Sequence, residues 1–172
     1  MVGLGHLYDG GAERQSLAYD ISADGSVIVG DRSRVEDMSA VNGSVRTGEG
    51  VSVKGDIESV NGSVELGAGS EVSGKVGTVN GDIELTQTTV QRDVRTVNGD
   101  IELRDNSIVK GNVVIHDKMD ASKRQQPIEI TVAGDSIVEG DVLVKRDVDV
   151  RLMLSDGGKV LGQVDGAEVI EN

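Results

Sequence analysis

The sequence has no cysteine, tryptophan or phenylalanine, and its only aromatic residues are Tyr8 and Tyr19. Without cysteine the chain forms neither disulfides nor thiolate metal sites, so nothing about its redox compartment follows. A globular core of this size normally contains aromatic side chains. Stacked layers of small β-branched residues such as Val and Ile do not need them. The composition therefore favours flat β layers.

Basic residues are also scarce, because 17 Lys and Arg face 30 Asp and Glu, for a net charge of −13. Nucleic acid and anionic membrane surfaces both require clustered cations, so we expect neither as a partner. Solubility alone explains the acidity.

Long apolar runs are missing as well, so we expect no direct insertion into a membrane. Residues 1–10 carry no basic region and no apolar segment typical of a signal peptide. We therefore expect either a cytoplasmic protein or a piece of a longer, exported chain.

What the sequence does contain is a repeat. Val-Asn-Gly begins at Val41, Val60, Val79 and Val97, in steps of 19, 19 and 18 residues, a period that indicates a solenoid. A second motif, Val-x-Gly-x-Val or Ile, follows each Val-Asn-Gly. It occupies residues 53–57, 72–76, 90–94 and 109–113, with Arg92 once in place of glycine. Twenty-four glycines thus mark turns, and the pattern predicts two short strands per turn.

The predicted fold is all-β: a single-stranded, right-handed parallel β-helix of about six coils that begins near Met38 or Val41. Because side chains two apart share a face of a strand, the sequence predicts inward walls in which each aliphatic stacks on its copy one coil away. The first repeat assigns Val60, Gly62, Val64 and Leu66 to one wall and Val72, Gly74 and Val76 to the next. We also align Ile128-Glu129-Ile130 with Ile101-Glu102-Leu103.

Two domains are predicted. Residues 35–172 form the solenoid, with a polar loop inserted at 117–127 that ends at the only proline, Pro127. Residues 1–34 form a small β-rich unit, a candidate cap, in which Asp24-Gly25 between two apolar runs predicts a β-hairpin.

Polar residues recur in columns on the outer side of the first wall. The columns are Asn42, Asn61, Asn80 and Asn98; Ser44, Ser63, Asp82 and Asp100; and Arg46, Glu65, Glu84 and Glu102. Calcium could neutralise stacked carboxylates. A solvated face with an asparagine ladder also explains the columns, and the calcium-binding nonapeptide of β-rolls is absent. We therefore assign no metal site and no cofactor.

Catalytic groups are few. The only histidines, His6 and His116, lie far apart in the sequence, so no histidine triad or zinc cluster is expected. Asp82 and Asp100 near Arg46 or Arg95 could imitate the acid and base of a polysaccharide-cleaving β-helix. Such enzymes have longer coils and aromatic sugar platforms, so we assign no catalytic residue and expect a protein that is not an enzyme.

Two resemblances cover the chain. The Val-x-Gly-x-Val words, as in residues 53–57 and 138–142, resemble bactofilins, the polymer-forming bacterial cytoskeletal proteins. Thr-Val-Asn-Gly-Asp-Ile-Glu-Leu at residues 78–85 and 96–103 is similar to bacterial adhesin domains that form β-solenoids. Residues 3–7, 10–11 and 21–30 resemble one unit of the HAF family of extracellular repeats.

These resemblances imply a structural rod of the bacterial cell envelope or exterior that associates with itself through its terminal coils. An adhesin or ligand-binding module is the alternative, with the polar loop at 117–126 as its expected contact with a protein or surface partner. A polysaccharide-active enzyme is the third and weaker hypothesis.

Overall fold

In the computed structural model, residues 17–18, 21–23, 25–116 and 126–171 are described, the first two ranges by their backbone alone. These residues form a β-solenoid of about seven turns with no helix, which confirms the predicted fold class. Each coil contributes one strand to each of three parallel sheets. Seven spacings of about 4.8 Å make the stack ~34 Å long.

The three sheets are named here in chain order. The first contains β1 (Leu17–Ala18), β4 (Arg34–Val35), β7 (Ser52–Val53), β10 (Glu71–Val72), β13 (Thr89–Val90), β16 (Ile108–Val109), β19 (Ile137–Val138) and β22 (Lys159–Val160). The second contains β2 (Ile21–Ala23), β5 (Met38–Ala40), β8 (Ile57–Asn61), β11 (Val76–Asn80), β14 (Val94–Thr96), β17 (Val113–Ile115), β20 (Val142–Val144) and β23 (Val164–Asp165). The third contains β3 (Val27–Val29), β6 (Val45–Thr47), β9 (Val64–Leu66), β12 (Ile83–Thr86), β15 (Ile101–Arg104), β18 (Ile128–Val132), β21 (Val150–Leu154) and β24 (Glu168–Glu171).

The core consists of aliphatic columns, as the alternation predicts. In the third sheet, Leu66, Leu85 and Leu103 occupy successive coils in register and are almost completely buried. Each full burial of such a side chain contributes roughly 1.5 to 3 kcal/mol. Layers made this way need no aromatic side chain, which explains how the sequence folds without Phe or Trp.

Two predictions were wrong: the number of strands per turn, and the set of residues assigned to the first inward wall. A corner at Asn61–Ser63 divides what the sequence presents as one wall, so that each turn has three strands. The alternation restarts at that corner. Val64 is therefore buried, whereas Val60 faces outward and is 37% exposed.

The predicted hairpin at Asp24-Gly25 was also wrong. β2 pairs in parallel with β5 and β3 with β6, so the two strands belong to different sheets. Strands of the amino-terminal unit therefore add a coil to the stack, and β4 spans the predicted boundary between residues 34 and 35. The role of residues 1–34 as a cap stays a prediction.

One register differs from the predicted alignment. Ile101 and Leu103 pair with Ile130 and Val132, two positions later than predicted. A shift of two residues keeps the same side chains inward, so the hydrophobic pattern does not distinguish the two alignments. The predicted loop at 117–127 lies outside the described residues except for 126 and 127.

Glycines stack at the corner between the second and third sheets, where the coils approach most closely. A Cβ on Gly81 would lie 2.3 Å from the carbonyl oxygen of Gly62, whereas a Cβ on Gly25 would have no atom of the described residues within 4 Å. Glycine at the Val-Asn-Gly corner is thus required by the neighbouring coil.

We expect Gly81→Ala to lower the free energy of unfolding by about 1 to 3 kcal/mol, because the coils must separate to admit the methyl group. Gly25→Ala is the matched control and should change stability by less than about 1 kcal/mol in either direction. Urea unfolding measures both. Equal stabilities of the two variants would contradict the close contact.

Candidate interaction surfaces

The asparagine column forms a continuous ladder of side-chain hydrogen bonds at the corner after the second sheet. Asn61 Nδ2 donates to Asn42 Oδ1 at 3.0 Å, Asn80 to Asn61 at 2.9 Å and Asn98 to Asn80 at 3.0 Å. Arg146 Nη1 donates to Asn98 Oδ1 and to the carbonyl oxygen of Val97, both at 2.8 Å. The ladder therefore ends at an arginine from a later coil.

The second polar column binds backbone. Asp82 Oδ1 accepts the amide hydrogen of Asp100 at 2.9 Å, and Asp100 Oδ1 accepts that of Glu129 at 3.0 Å. Ser63 Oγ accepts from the amide of Asp82 at 3.2 Å in the same way. These side chains satisfy corner amides of the next coil, which is a structural role.

Arginines at the two ends of the third column reduce the repulsion between its stacked glutamate carboxylates. Arg46 Nη2 lies 2.9 Å from Glu65 Oε1, and Arg104 Nε lies 2.6 Å from Glu102 Oε1. Hydrogen bonding and the carboxylate charges raise the pKa of both arginines. Within the described residues, no group of three His, Asp or Glu side chains is arranged to hold a metal ion.

Of the enzyme-like residues, the structure stacks Asp82 and Asp100 in adjacent coils and pairs the two arginines with glutamates. Arg46 pairs with Glu65, and Arg95 on the second sheet reaches Glu58 at 3.1 Å. Asp82 and Asp100 belong to the corner column described above. His116 follows β17 on the second sheet. His6 and most of the predicted contact loop lie outside the described residues.

The outer face of the second sheet carries a stripe of valines, one of which, Val60, was predicted from the sequence to lie in the core. This valine stripe is Val41, Val60, Val79 and Val97, with exposures of 50% at Val41, 37% at Val60 and 8% at Val97. A groove of about 300 Å³ runs beside it, lined by the last three valines, Gly77, Arg95 and His116 among others. The signal available in the sequence was the recurrence of valine before every Asn-Gly.

The last described coil leaves core positions uncovered. Val169 is in register with Leu152, which is fully buried, yet Val169 is 45% exposed. Val160 and Val164 pair with the buried Val138 and Val142 and are themselves only partly buried. A cavity of about 370 Å³ opens beside them and is lined by Leu154, Lys159 and Glu171 among others.

Comparison with known proteins finds no matching family model, no matching curated protein and no matching solved structure. In the described ranges, no helix has the length and apolar character needed to cross a membrane. The function must therefore be argued from the surfaces.

We expect Asn80→Asp to lower the free energy of unfolding by about 1 kcal/mol, because the carboxylate cannot donate to Asn61 Oδ1. Asn106→Asp, which adds the same charge outside the ladder, should stay within about 0.5 kcal/mol of the wild type. Thermal unfolding of both variants tests this. An unchanged Asn80→Asp protein would mean that the ladder contributes nothing.

A second prediction concerns pH. Burial, with smaller contributions from Lys145 and Arg95, lowers the pKa of His116 below its usual 6.5, and Asp93 opposes this. The unfolded chain then binds the proton more readily, so stability is lost as the pH falls through 6.5. We expect His116→Asn to unfold with a shallower pH dependence between pH 7.5 and 5.5. Parallel profiles for the two proteins would refute the assignment.

Proposed function

We propose that this protein is a non-enzymatic structural β-solenoid that associates with further copies of itself through its carboxy-terminal coil. The observation that supports this most directly is Val169, which occupies a core position in register with Leu152 but is 45% exposed. A second copy stacked on this coil would cover the unfinished layer.

The backbone supports the same proposal. Among the described strands, β22, β23 and β24 each lie at the edge of a sheet and pair with only one neighbour. Their outer N–H and C=O groups can pair with another chain, as edge strands commonly do. Stacking would combine three short ladders with burial of Val160, Val164 and Val169. Each side chain covered in full would contribute roughly 1.5 to 3 kcal/mol.

The resemblance of residues 53–57 and 138–142 to bactofilins agrees with a polymer-forming scaffold. We also propose a location in the cell envelope or outside the cell, because of the adhesin-like and HAF-like sequence motifs. The cytoplasm is the alternative location. Asp82 and Asp100 support a non-enzymatic role, because each uses a carboxylate oxygen to hold a backbone amide of the next coil.

An adhesin or ligand-binding module is the second candidate, and the groove beside the valine stripe favours it. A surface groove lined by Val60, Val79 and Val97 could receive an apolar ligand. A polysaccharide-active enzyme is the third candidate. It draws no support from the positions of Arg46 and Arg95, which pair with glutamates.

We expect the wild-type chain to form elongated assemblies whose mass rises with concentration, and Val169→Lys to abolish them by placing a charge in the contact. Sedimentation velocity and negative-stain imaging measure both. Ile28→Lys is the matched control, since Ile28 is 56% exposed but faces outward from the side of the stack. A wild-type chain that stays a single short rod, or a Val169→Lys chain that still forms elongated assemblies, would overturn the proposal.

A further inference from the structure

Four corners of the stack carry the same reactive pair, an asparagine followed by a glycine. The backbone nitrogen of such a glycine can attack Cγ of the asparagine, because glycine has no Cβ to obstruct the five-membered ring that forms. The pairs are Asn42-Gly43, Asn61-Gly62, Asn80-Gly81 and Asn98-Gly99. Since the sequence is shared, the hydrogen bonds at each corner decide which pair can react.

The two middle corners hold the attacking nitrogen in a hydrogen bond. Gly62 N donates to the carbonyl oxygen of Asn80 at 3.0 Å, and Gly81 N donates to that of Asn98 at 3.2 Å. Each nitrogen must give up this bond before it can attack, which has a free-energy cost. The coil that follows therefore protects both pairs from reaction.

The corner at Asn98 differs, because the next coil contains no Asn-Gly pair to continue the column. Gly99 is buried, yet its amide hydrogen has no acceptor within the part of the chain that the structure describes. A buried N–H group without a partner is uncommon in folded proteins. No hydrogen bond therefore has to break before this nitrogen can attack.

The same corner also lacks a hydroxyl that restrains earlier corners. Ser59 Oγ donates to the carbonyl oxygen of Gly43 at 3.1 Å, and Thr78 makes the equivalent contact one coil later. In the coil after Gly99 this position is Ile115, whose side chain has no donor. The backbone at Gly99 is thus less restrained against the rotation that ring closure requires.

Arg146 adds a cation at the reacting group. Its Nη1 donates to Asn98 Oδ1 and to the carbonyl oxygen of Val97, both at 2.8 Å. Attack on Cγ converts Oδ1 into an oxyanion, which a cationic donor already in position stabilises. The other three asparagines accept instead from the neutral side chain of the next member of the ladder. Asn98 therefore has the most activated carbonyl of the four.

We propose that Asn98-Gly99 is a self-modification site, at which the folded chain converts Asn98 into aspartate or isoaspartate. The nitrogen of Gly99 loses its proton and bonds to Cγ of Asn98. The bond between Cγ and Nδ2 then breaks, and Nδ2 leaves as ammonia with a proton to replace the one that the nitrogen lost. Water opens the resulting succinimide at either carbonyl carbon, which gives the two products. The reaction consumes only water and is independent of end-to-end association.

The aspartate product fits the same surroundings. It loses the hydrogen bond that Asn98 Nδ2 donates to Asn80 Oδ1 at 3.0 Å, because a carboxylate has no proton to donate. In exchange, the contact from Arg146 becomes a charge-assisted hydrogen bond, which is stronger than a neutral one. The end of the ladder is thus the position at which a carboxylate is best accepted.

The first experiment follows all four pairs in the folded wild-type chain during incubation at mildly alkaline pH. Trypsin separates them, because a Lys or Arg lies between each two successive pairs. Mass spectrometry of the peptides then measures the gain of one mass unit and the isoaspartate content. We expect Asn98 to react about tenfold faster than Asn61 and Asn80, or more. A rate at Asn98 no higher than theirs would overturn the proposal.

Incubation in urea is the control for sequence effects. In the unfolded chain the coils no longer hold or release the glycine nitrogens, so we expect the advantage of Asn98 over Asn61 and Asn80 to disappear. An advantage of the same size in urea would show that the fold does not cause it, and would overturn the proposal.

Arg146→Gln separates the electrostatic role of Arg146 from a structural one. Loss of a mere restraint would loosen the corner and speed the reaction, whereas loss of oxyanion stabilisation should slow it at Asn98 by about tenfold or more. Asn42 in the same protein should keep its rate. Arg151→Gln, which removes an exposed arginine from β21, is the matched control and should leave Asn98 unchanged.

Circular dichroism confirms that each variant is folded. A folded Arg146→Gln chain in which Asn98 reacts as fast as in the wild type, or faster, would overturn the role of Arg146. If this variant does not fold, the comparison of the four pairs in the wild-type chain, with and without urea, decides the proposal without it.

Discussion

Parallel stacking of each coil on the last, one strand spacing apart and in register, is the constraint on which the rest of this structure depends. It lets Leu85 lie between Leu66 and Leu103, so that small aliphatic columns replace an aromatic core. It also brings Gly81 so close to Gly62 that no side chain fits there. Composition, repeat length and the spacing of glycine all follow from that requirement.

The same stacking explains most of the polar pattern. At a corner, the sheet ladder is interrupted and backbone amides need other acceptors. Asp82 and Asp100 supply them, and Asn80 joins its copies in the ladder. The carboxylates of Asp82 and Asp100 thus have a structural role at the corner, whereas the glutamate column lies in the strands of the third sheet. The surfaces that stacking does not explain are the valine stripe and the partly exposed core positions of the last described coil.

Reading the sequence predicted the solenoid, the polar columns and the inward position of residues such as Val64 and Val76, because these depend only on the repeat and on alternation within a strand. The sequence-based predictions were wrong where the chain turns a corner from one sheet to the next. Val60 was assigned to the core because nothing in the pattern shows that alternation restarts between Asn61 and Ser63. The hairpin at Asp24-Gly25 failed because a local turn signal does not reveal that each strand has a better partner one coil away.

The sequence by itself therefore determined the architecture: an all-β stack of short repeats, dictated by the period and by the two-residue alternation of buried side chains. Only the tertiary structure decided which aliphatics face outward, since three sheets meeting at corners rotate the chain between strands. It also decided that Glu58 and Arg95, 37 residues apart, meet across Gly77. Stacking makes neighbours of residues that lie two coils apart in the sequence. A short sequence pattern does not show such a contact.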